Sequence, residues 1–202
     1  PPGLVLPPSP PKDQARQLLG LPQEGPVIAF IGRLTKIKRP DRFAEIVQVV
    51  HAQRPDVQFL VAGQGDQELA LRESTRDFPV TMLGWRDDVE TVLAASDAVL
   101  LTSDNEGTPL SLIQAGMAGL PVIASDVGSV RDVVINGETG WLAKPAPQDL
   151  SQAVLKFLGD PQEASRRGRA GEAHATAAFG IQRLEEDHVS LYQELVKKAN
   201  FA

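Results

Sequence analysis

Short apolar runs alternate with longer stretches whose apolar residues recur at helical spacing. The runs at 26–31, 57–62, 80–83, 98–102, 122–125 and 140–143 read as buried strands. Between them, 40–53 sets Phe43, Ile46, Val47 and Val50 on one face of a helix. Helices are expected at 66–76, capped by Asp66, and at 87–95, where Asp87 and Asp88 suit the positive end of the helix dipole. Thr108 is placed as the N-cap of a further helix, with Pro109 as its first residue, running through Leu110, Ile113 and Met117 to a stop near Gly119. A loop at 126–129 and a helix to Ile135 follow, then the turn Asn136-Gly137. A short helix is expected near 13–19, and beyond Pro147 the chain reads as three helices at about 149–159, 161–178 and 182–198. Strands separated by helices form βαβ units with a parallel sheet. The fold class is therefore α/β, a Rossmann-like parallel sheet flanked by helices.

Six of the first eleven residues are proline, which bars helix and central strand there and suggests an extended, semi-rigid start to an interdomain linker taken as 1–22. Residues 23–202 then form the domain, and something is expected to precede the linker. The 202 residues suit one α/β domain. A balance of 20 Lys and Arg against 26 Asp and Glu, net −6, argues against general nucleic-acid or anionic-membrane binding. With no cysteine, disulfides and thiolate metal sites are impossible, and the three histidines have no metal-ligand spacing. No apolar run approaches a membrane span of about 20 residues.

The candidate chemistry lies at the strand exits, where ligands bind in open α/β sheets. After the first strand, the segment from Gly32 to Arg39 carries Arg33, Lys36, Lys38 and Arg39 just before a helix. Arginine grips phosphate in a bidentate fork and lysine as a point charge; the alternative is a solvated basic loop. Gly63 and Gly65 follow the second strand, where glycine lets a ligand approach the backbone or simply makes a tight turn. Position 68 is not glycine and no GxxxxGK[ST] run occurs, so neither a dinucleotide fingerprint nor a phosphate loop is present. Gly84-Trp85 closes the third strand; the Trp85 ring can flank a base, with core or rim packing the favoured reading, while Trp141 reads as packing. After the fourth strand, Glu106, Gly107 and Thr108 meet the free N–H groups of a helix start, which suits an anion or a polyhydroxylated group. Gln114 lies one turn beyond Leu110, facing that cleft or the core.

The ordered set is more specific than any one piece. Gly32-Arg33-Leu34 with Lys38, Gly63-x-Gly65, Gly84-Trp85-Arg86-Asp87-Asp88-Val89, Asp97, Glu106-Gly-x-Pro-Leu with Gln114, Ala118-Gly119-x-Pro121-Val-Ile-Ala-Ser-Asp-x-Gly128, and Gly137-x-x-Gly140-Trp141-Leu142 occur in that order. Together they resemble the carboxyl-terminal, donor-binding domain of family 4 retaining glycosyltransferases of the GT-B fold, the group 1 type, over residues 22–195.

The resemblance implies a nucleotide-sugar donor (UDP-, GDP- or ADP-sugar), no cofactor and no divalent metal. It implies that Arg33 and Lys38 hold the diphosphate and that Glu106 contacts donor-sugar hydroxyls. Backbone at Gly107, Thr108, Pro109 and Leu110 would surround sugar or phosphate. The substrate site would extend to Gly65, Gly84 and Trp85 near the base and to Gln114 at the ribose. Transfer of a hexosyl unit with retention, by front-face attack, is the implied reaction. The last helix is expected to cross back onto the amino-terminal, acceptor-binding domain, which is absent from this chain. An isolated half should bind donor weakly and transfer little or nothing. The implied location is cytoplasmic, or at a membrane surface through the absent domain.

One position departs from the family pattern. The family has a second glutamate where Gln114 stands, accepting from both ribose hydroxyls. An amide offers one acceptor oxygen and two donor protons, so it can bridge the ribose by accepting from one hydroxyl and donating to the other. Two alternatives stand beside the transferase: a degenerate or isolated nucleotide-sugar-binding module, and a related GT-B enzyme such as a nucleotide-sugar epimerase.

Overall fold

The computed structural model describes residues 1–199. Its strands are β1 (Val27–Ile31), β2 (Gln58–Ala62), β3 (Val80–Gly84), β4 (Ala98–Leu101), β5 (Val122–Ser125) and β6 (Gly140–Ala143). All pair in parallel, in the order β3-β2-β1-β4-β5-β6. Strand order therefore reverses between β1 and β4, and a crevice opens outside their carboxyl ends.

The helices are α1 (Lys12–Leu18), α2 (Pro40–His51), α3 (Glu68–Ser74), α4 (Val89–Ala95), α5 (Leu110–Met117), α6 (Pro147–Gly159), α7 (Pro161–Phe179) and α8 (Ile181–Ala199). The period-2 alternation of each strand feeds two cores. Ile28, Phe30, Phe59, Val61, Leu100 and Ile123 pack with α2 and α6 on one face. Val27, Ala29, Leu60, Val99, Leu101 and Ala124 pack with α1, α4 and α5 on the other. Both faces are covered, which is why the strands are nearly all apolar rather than alternating with polar residues.

Residues 1–11 run extended and lie along the junction of α7 and α8. Leu4 pairs with that junction: its N–H donates to Phe179 O at 2.8 Å, and its carbonyl accepts from Ile181 N–H at 3.2 Å. Arg183 donates to the carbonyls of Pro1 and Pro2. Beyond this junction α8 carries Val189, Leu191, Tyr192, Leu195 and Val196, all at least half exposed.

Three helix expectations need correction in kind or capping. The helix expected at 66–76 spans Glu68–Ser74 and is not capped by Asp66. Its entry is anchored by the neighbouring loop instead, because Leu34 O accepts the Gln67 N–H at 2.9 Å. The helix expected up to Ile135 is only a 3-10 turn, Gly128–Asp132, because Gly128 is left-handed and Ser129 leaves helical geometry. Thr108 is not the N-cap of α5: that place is taken by Pro109, in extended geometry, and the helix begins one residue later at Leu110.

Candidate functional site

The crevice between β1 and β4 is built by two loops that meet. From β1 the chain passes through Arg33, the buried Leu34 and a 3-10 turn, Lys36–Lys38, into α2. From β4 it passes through the buried pair Thr102 and Ser103, then Asp104 and Glu106, into α5. Lys38 Nζ lies 2.6 Å from Glu106 Oε1, and Ser103 Oγ donates to the same oxygen at 2.5 Å. Only 9% of the Glu106 side chain is exposed, and 21% of that of Lys38. One carboxylate oxygen thus carries two donors. The other is left as an acceptor, since a carboxylate offers about four lone-pair sites.

Beside this pair the start of α5 is open. Because Pro109 rather than Thr108 sits at the N-cap, no side chain caps the helix. The N–H groups of residues 110 and 111 keep their hydrogen-bonding capacity at the positive end of the dipole. Gly107 adds space: a Cβ there would meet no atom within 4 Å. Thr108 is exposed and Leu110 is half exposed at the mouth, and Gln114 is half-buried one turn further on.

Arg33 is exposed and has no carboxylate partner among the described residues. It lines a hollow of about 440 Å³ together with Gly32, Gly63, Gln64, Trp85 and Arg86. The Trp85 ring is 68% exposed, so of the two packing places expected for it the structure shows the rim of the hollow and not the core. Core packing holds for Trp141, which is buried edge-on to Phe157 with the Arg167 guanidinium 4.0 Å from its ring centre. Gly84 takes a left-handed φ of 72° that turns the chain out of β3 toward Trp85.

Of the two uses open to Gly63 and Gly65, the structure shows the close turn. A Cβ on Gly63 would come within 1.8 Å of Gly32 O, and one on Gly65 within 2.2 Å of Leu34 O. These glycines let the loop after β2 lie directly against the loop after β1.

Several contributors carry no signal in the sequence. Arg42 looks like the polar face of α2, yet it is only 4% exposed and its guanidinium reaches under the loop after β4. Thr102 Oγ1 donates back to Lys38 O at 2.8 Å and Arg39 O at 3.1 Å. Ser103 lies just before the loop singled out at Glu106, and its spacing of three from Glu106 is its only trace in the sequence. Burial pushes the Asp104 carboxyl up, but the guanidinium groups of Arg42 and Arg39 outweigh it and leave the group below its ordinary value. From β5, Ser129 N–H donates to Glu106 O at 3.0 Å, so a third loop fixes the glutamate's backbone.

A second hollow, about 450 Å³, lies at the amino ends of the strands against Pro26, Asp97, Pro121 and Phe157. Asp97 there is already engaged by Lys12, by Arg16 Nη2 at 2.8 Å and by the Val27 N–H at 2.7 Å. It fastens α1 to the sheet. Among the described residues no group of three or more His, Asp or Glu is placed to hold a metal ion. No helix among them is long and apolar enough to cross a membrane.

Comparison with known proteins gives a consistent result. The sequence profile described as "Glycosyl transferases group 1" matches residues 11–174. A 2-deoxystreptamine glucosyltransferase from Streptomyces kanamyceticus is 31% identical over 194 residues, covering 92% of this chain and 50% of that protein. A GDP-mannose-dependent mannosyltransferase acting on a monoacylated phosphatidylinositol monomannoside, from Corynebacterium glutamicum, is 31% identical over 201 residues, covering 92% of this chain and 52% of that protein. The solved sucrose-phosphate synthase of Thermosynechococcus elongatus superposes with a TM-score of 0.83 at 28% identity, over 98% of this chain and 52% of that one. The chain therefore spans about half the length of the curated relatives it matches.

Proposed function

The chain belongs to the group 1 glycosyl transferases, and we propose that it is the half that binds the activated sugar. In this reading a nucleotide-diphospho-sugar lies across the carboxyl ends of β1 and β4, and a hexosyl unit passes to an acceptor held by a second Rossmann-like domain. The observation that carries the reading is the 2.6 Å contact between Lys38 and Glu106, which brings a diphosphate-binding cation and a sugar-binding carboxylate into one crevice beside the open start of α5.

The charges define the roles. Lys38 in the crevice, with Arg33 in the neighbouring hollow, offsets the negative charge that grows on the departing nucleoside diphosphate, with no metal required. The free oxygen of Glu106 accepts from donor-sugar hydroxyls, and the N–H groups at residues 110 and 111 face sugar or phosphate. Trp85 flanks the base and Gln114 the ribose. The acceptor hydroxyl attacks C1 on the face that the diphosphate leaves. The bond from C1 to the phosphate oxygen breaks as the new C1–O bond forms, and the hydroxyl proton passes to that phosphate oxygen. Configuration is retained.

The proline-rich segment and α8 are assigned as the two connections to the acceptor domain. The exposed apolar side chains of α8 fit such a contact, since unpaired apolar surface of this kind marks interaction sites. Without that domain water is not excluded and geometry is not fixed, so this half alone is expected to bind donor weakly and turn over little. The relatives named above act on glucosyl and mannosyl groups, which is compatible with a hexosyl donor here.

The test is a thermal-shift series with UDP, GDP, ADP and their sugars. Binding at 100 times Kd stabilises by about 2.7 kcal/mol. One nucleotide series should raise the melting temperature, and Arg33→Ala and Glu106→Ala should each reduce that rise. No shift from any compound, or shifts untouched in both variants, refutes the reading.

A further inference from the structure

We propose that Arg42 is a positioning residue of the donor site: it locks the turn after β4 against the turn after β1 and so sets where Lys38 and Glu106 stand relative to each other. This rests on the reading of the crevice as a donor site.

Arg42 lies in the first turn of α2, the end of a helix where the dipole disfavours a cation. It is also buried, with 4% exposure, and taking an ion out of water costs several kcal/mol. Apolar residues of similar volume often serve stability as well or better in such a place, so stability alone does not account for an arginine here. The guanidinium geometry does. Nη1 donates to Thr102 O at 2.5 Å, with Ser103 O at 3.4 Å, and Nη2 donates to Asp104 Oδ1 at 2.6 Å. Nε has no partner. A planar fork thus spans three consecutive residues that end two positions before Glu106.

The return contacts close a ring. Thr102 Oγ1 donates to Lys38 O and Arg39 O, and Asp104 N–H donates to Ile37 O at 2.9 Å. Ser103, whose backbone Arg42 touches, donates its hydroxyl to Glu106 Oε1. Arg39 adds a second guanidinium to Asp104 at 3.1 Å, while holding the left-handed φ of 54° that turns the chain into α2. Lys38 and Glu106 are therefore joined twice: directly through their side chains, and underneath through Thr102, Ser103 and Arg42. The lower link persists when a diphosphate draws Lys38 away from Glu106.

The experiment is calorimetric titration of UDP-glucose, GDP-mannose and ADP-glucose into wild type, Arg42→Lys, Glu106→Gln and the double variant. Lysine keeps the charge but, as a compact point donor, loses the planar fork that reaches Thr102 and Asp104 from two separate nitrogens. A misplacement of about 1 Å can cost an enzyme about 10²-fold in rate, and ground-state binding is expected to lose less. Arg42→Lys is expected to weaken the binding nucleotide sugar tenfold or more. In the Glu106→Gln background the same change should cost less than in wild type, because one of the two groups it positions has already lost its carboxylate. Full affinity in Arg42→Lys, or equal losses in both backgrounds, overturns the proposal while leaving the donor-site reading intact. Should Arg42→Lys not fold, Asp104→Asn carries the same cycle, since that side chain is 44% exposed and its loss opens no cavity. A wild-type protein that binds none of the three sugars overturns both the proposal and the reading beneath it.

Discussion

Replacing Gly128 by alanine should disturb the crevice that holds Lys38 and Glu106 from a third loop, the one after β5. Gly128 has a φ of 50°, and a Cβ built on it would lie 2.1 Å from Glu106 O and 2.6 Å from Asn105 Oδ1. Two costs are superimposed. A left-handed alanine costs about 1–2 kcal/mol wherever it occurs. The collision with backbone forces the Glu106 loop back by about 1 Å and adds about 2 kcal/mol of overpacking. Gly137 separates the two, because its φ is 82° and nothing lies within 4 Å of its Cβ position. Gly137→Ala therefore reads the conformational cost alone. In a chain of 202 residues each kcal/mol moves the melting temperature by about 2–4 °C. Gly128→Ala should then melt roughly 4–8 °C below Gly137→Ala by differential scanning calorimetry. The displaced loop also stretches the 3.0 Å bond from Ser129 N–H to Glu106 O. Nucleotide-sugar affinity by titration should fall about tenfold or more in Gly128→Ala and stay at the wild-type value in Gly137→Ala. Equal melting temperatures for the two variants, or unimpaired donor binding in Gly128→Ala, would refute the reasoning that this third loop sets the position of Glu106.

Three other outcomes are expected. Gln114→Glu should tighten nucleoside diphosphate binding by restoring a second acceptor oxygen toward the ribose; unchanged or weaker binding by calorimetry counts against a ribose contact. Thr102→Val, nearly isosteric, removes the hydroxyl that satisfies the Lys38 and Arg39 carbonyls and should cost about 1–2 kcal/mol in urea unfolding, whereas an unchanged midpoint would mean water takes over that role. The guanidinium groups of Arg166 and then Arg167 hold the Glu163 carboxyl down to about 2 from 4.5; a group depressed in the folded state contributes stability above its unfolded value and loses it on acidification. Melting temperature should fall between pH 4.5 and 2, less steeply in Glu163→Gln, and parallel profiles for the two proteins would rule this pair out as a contributor.

The apolar runs by themselves determined the six strands and their parallel character. A strand buried on both faces must be apolar at nearly every position, and that signal is local. The same local logic marked Glu106 and the cations after the first strand as chemistry-bearing, because polar groups crowding a strand exit have no packing role to explain them. The sequence could not set the order β3-β2-β1-β4-β5-β6, which decides that the exits of β1 and β4 are neighbours and hence that Lys38 meets Glu106. Contacts separated by 68 residues have no periodic signature along the chain. Tertiary contacts also overruled local capping. Thr108 and Asp66 are good caps in isolation, but Pro109 and the Leu34 carbonyl take over the two helix starts once the loops are packed. For the same reason Arg42 was invisible: a polar residue on a helix reads as solvated until the fold closes over it, and only then does its buried charge require the partners that make it part of the site.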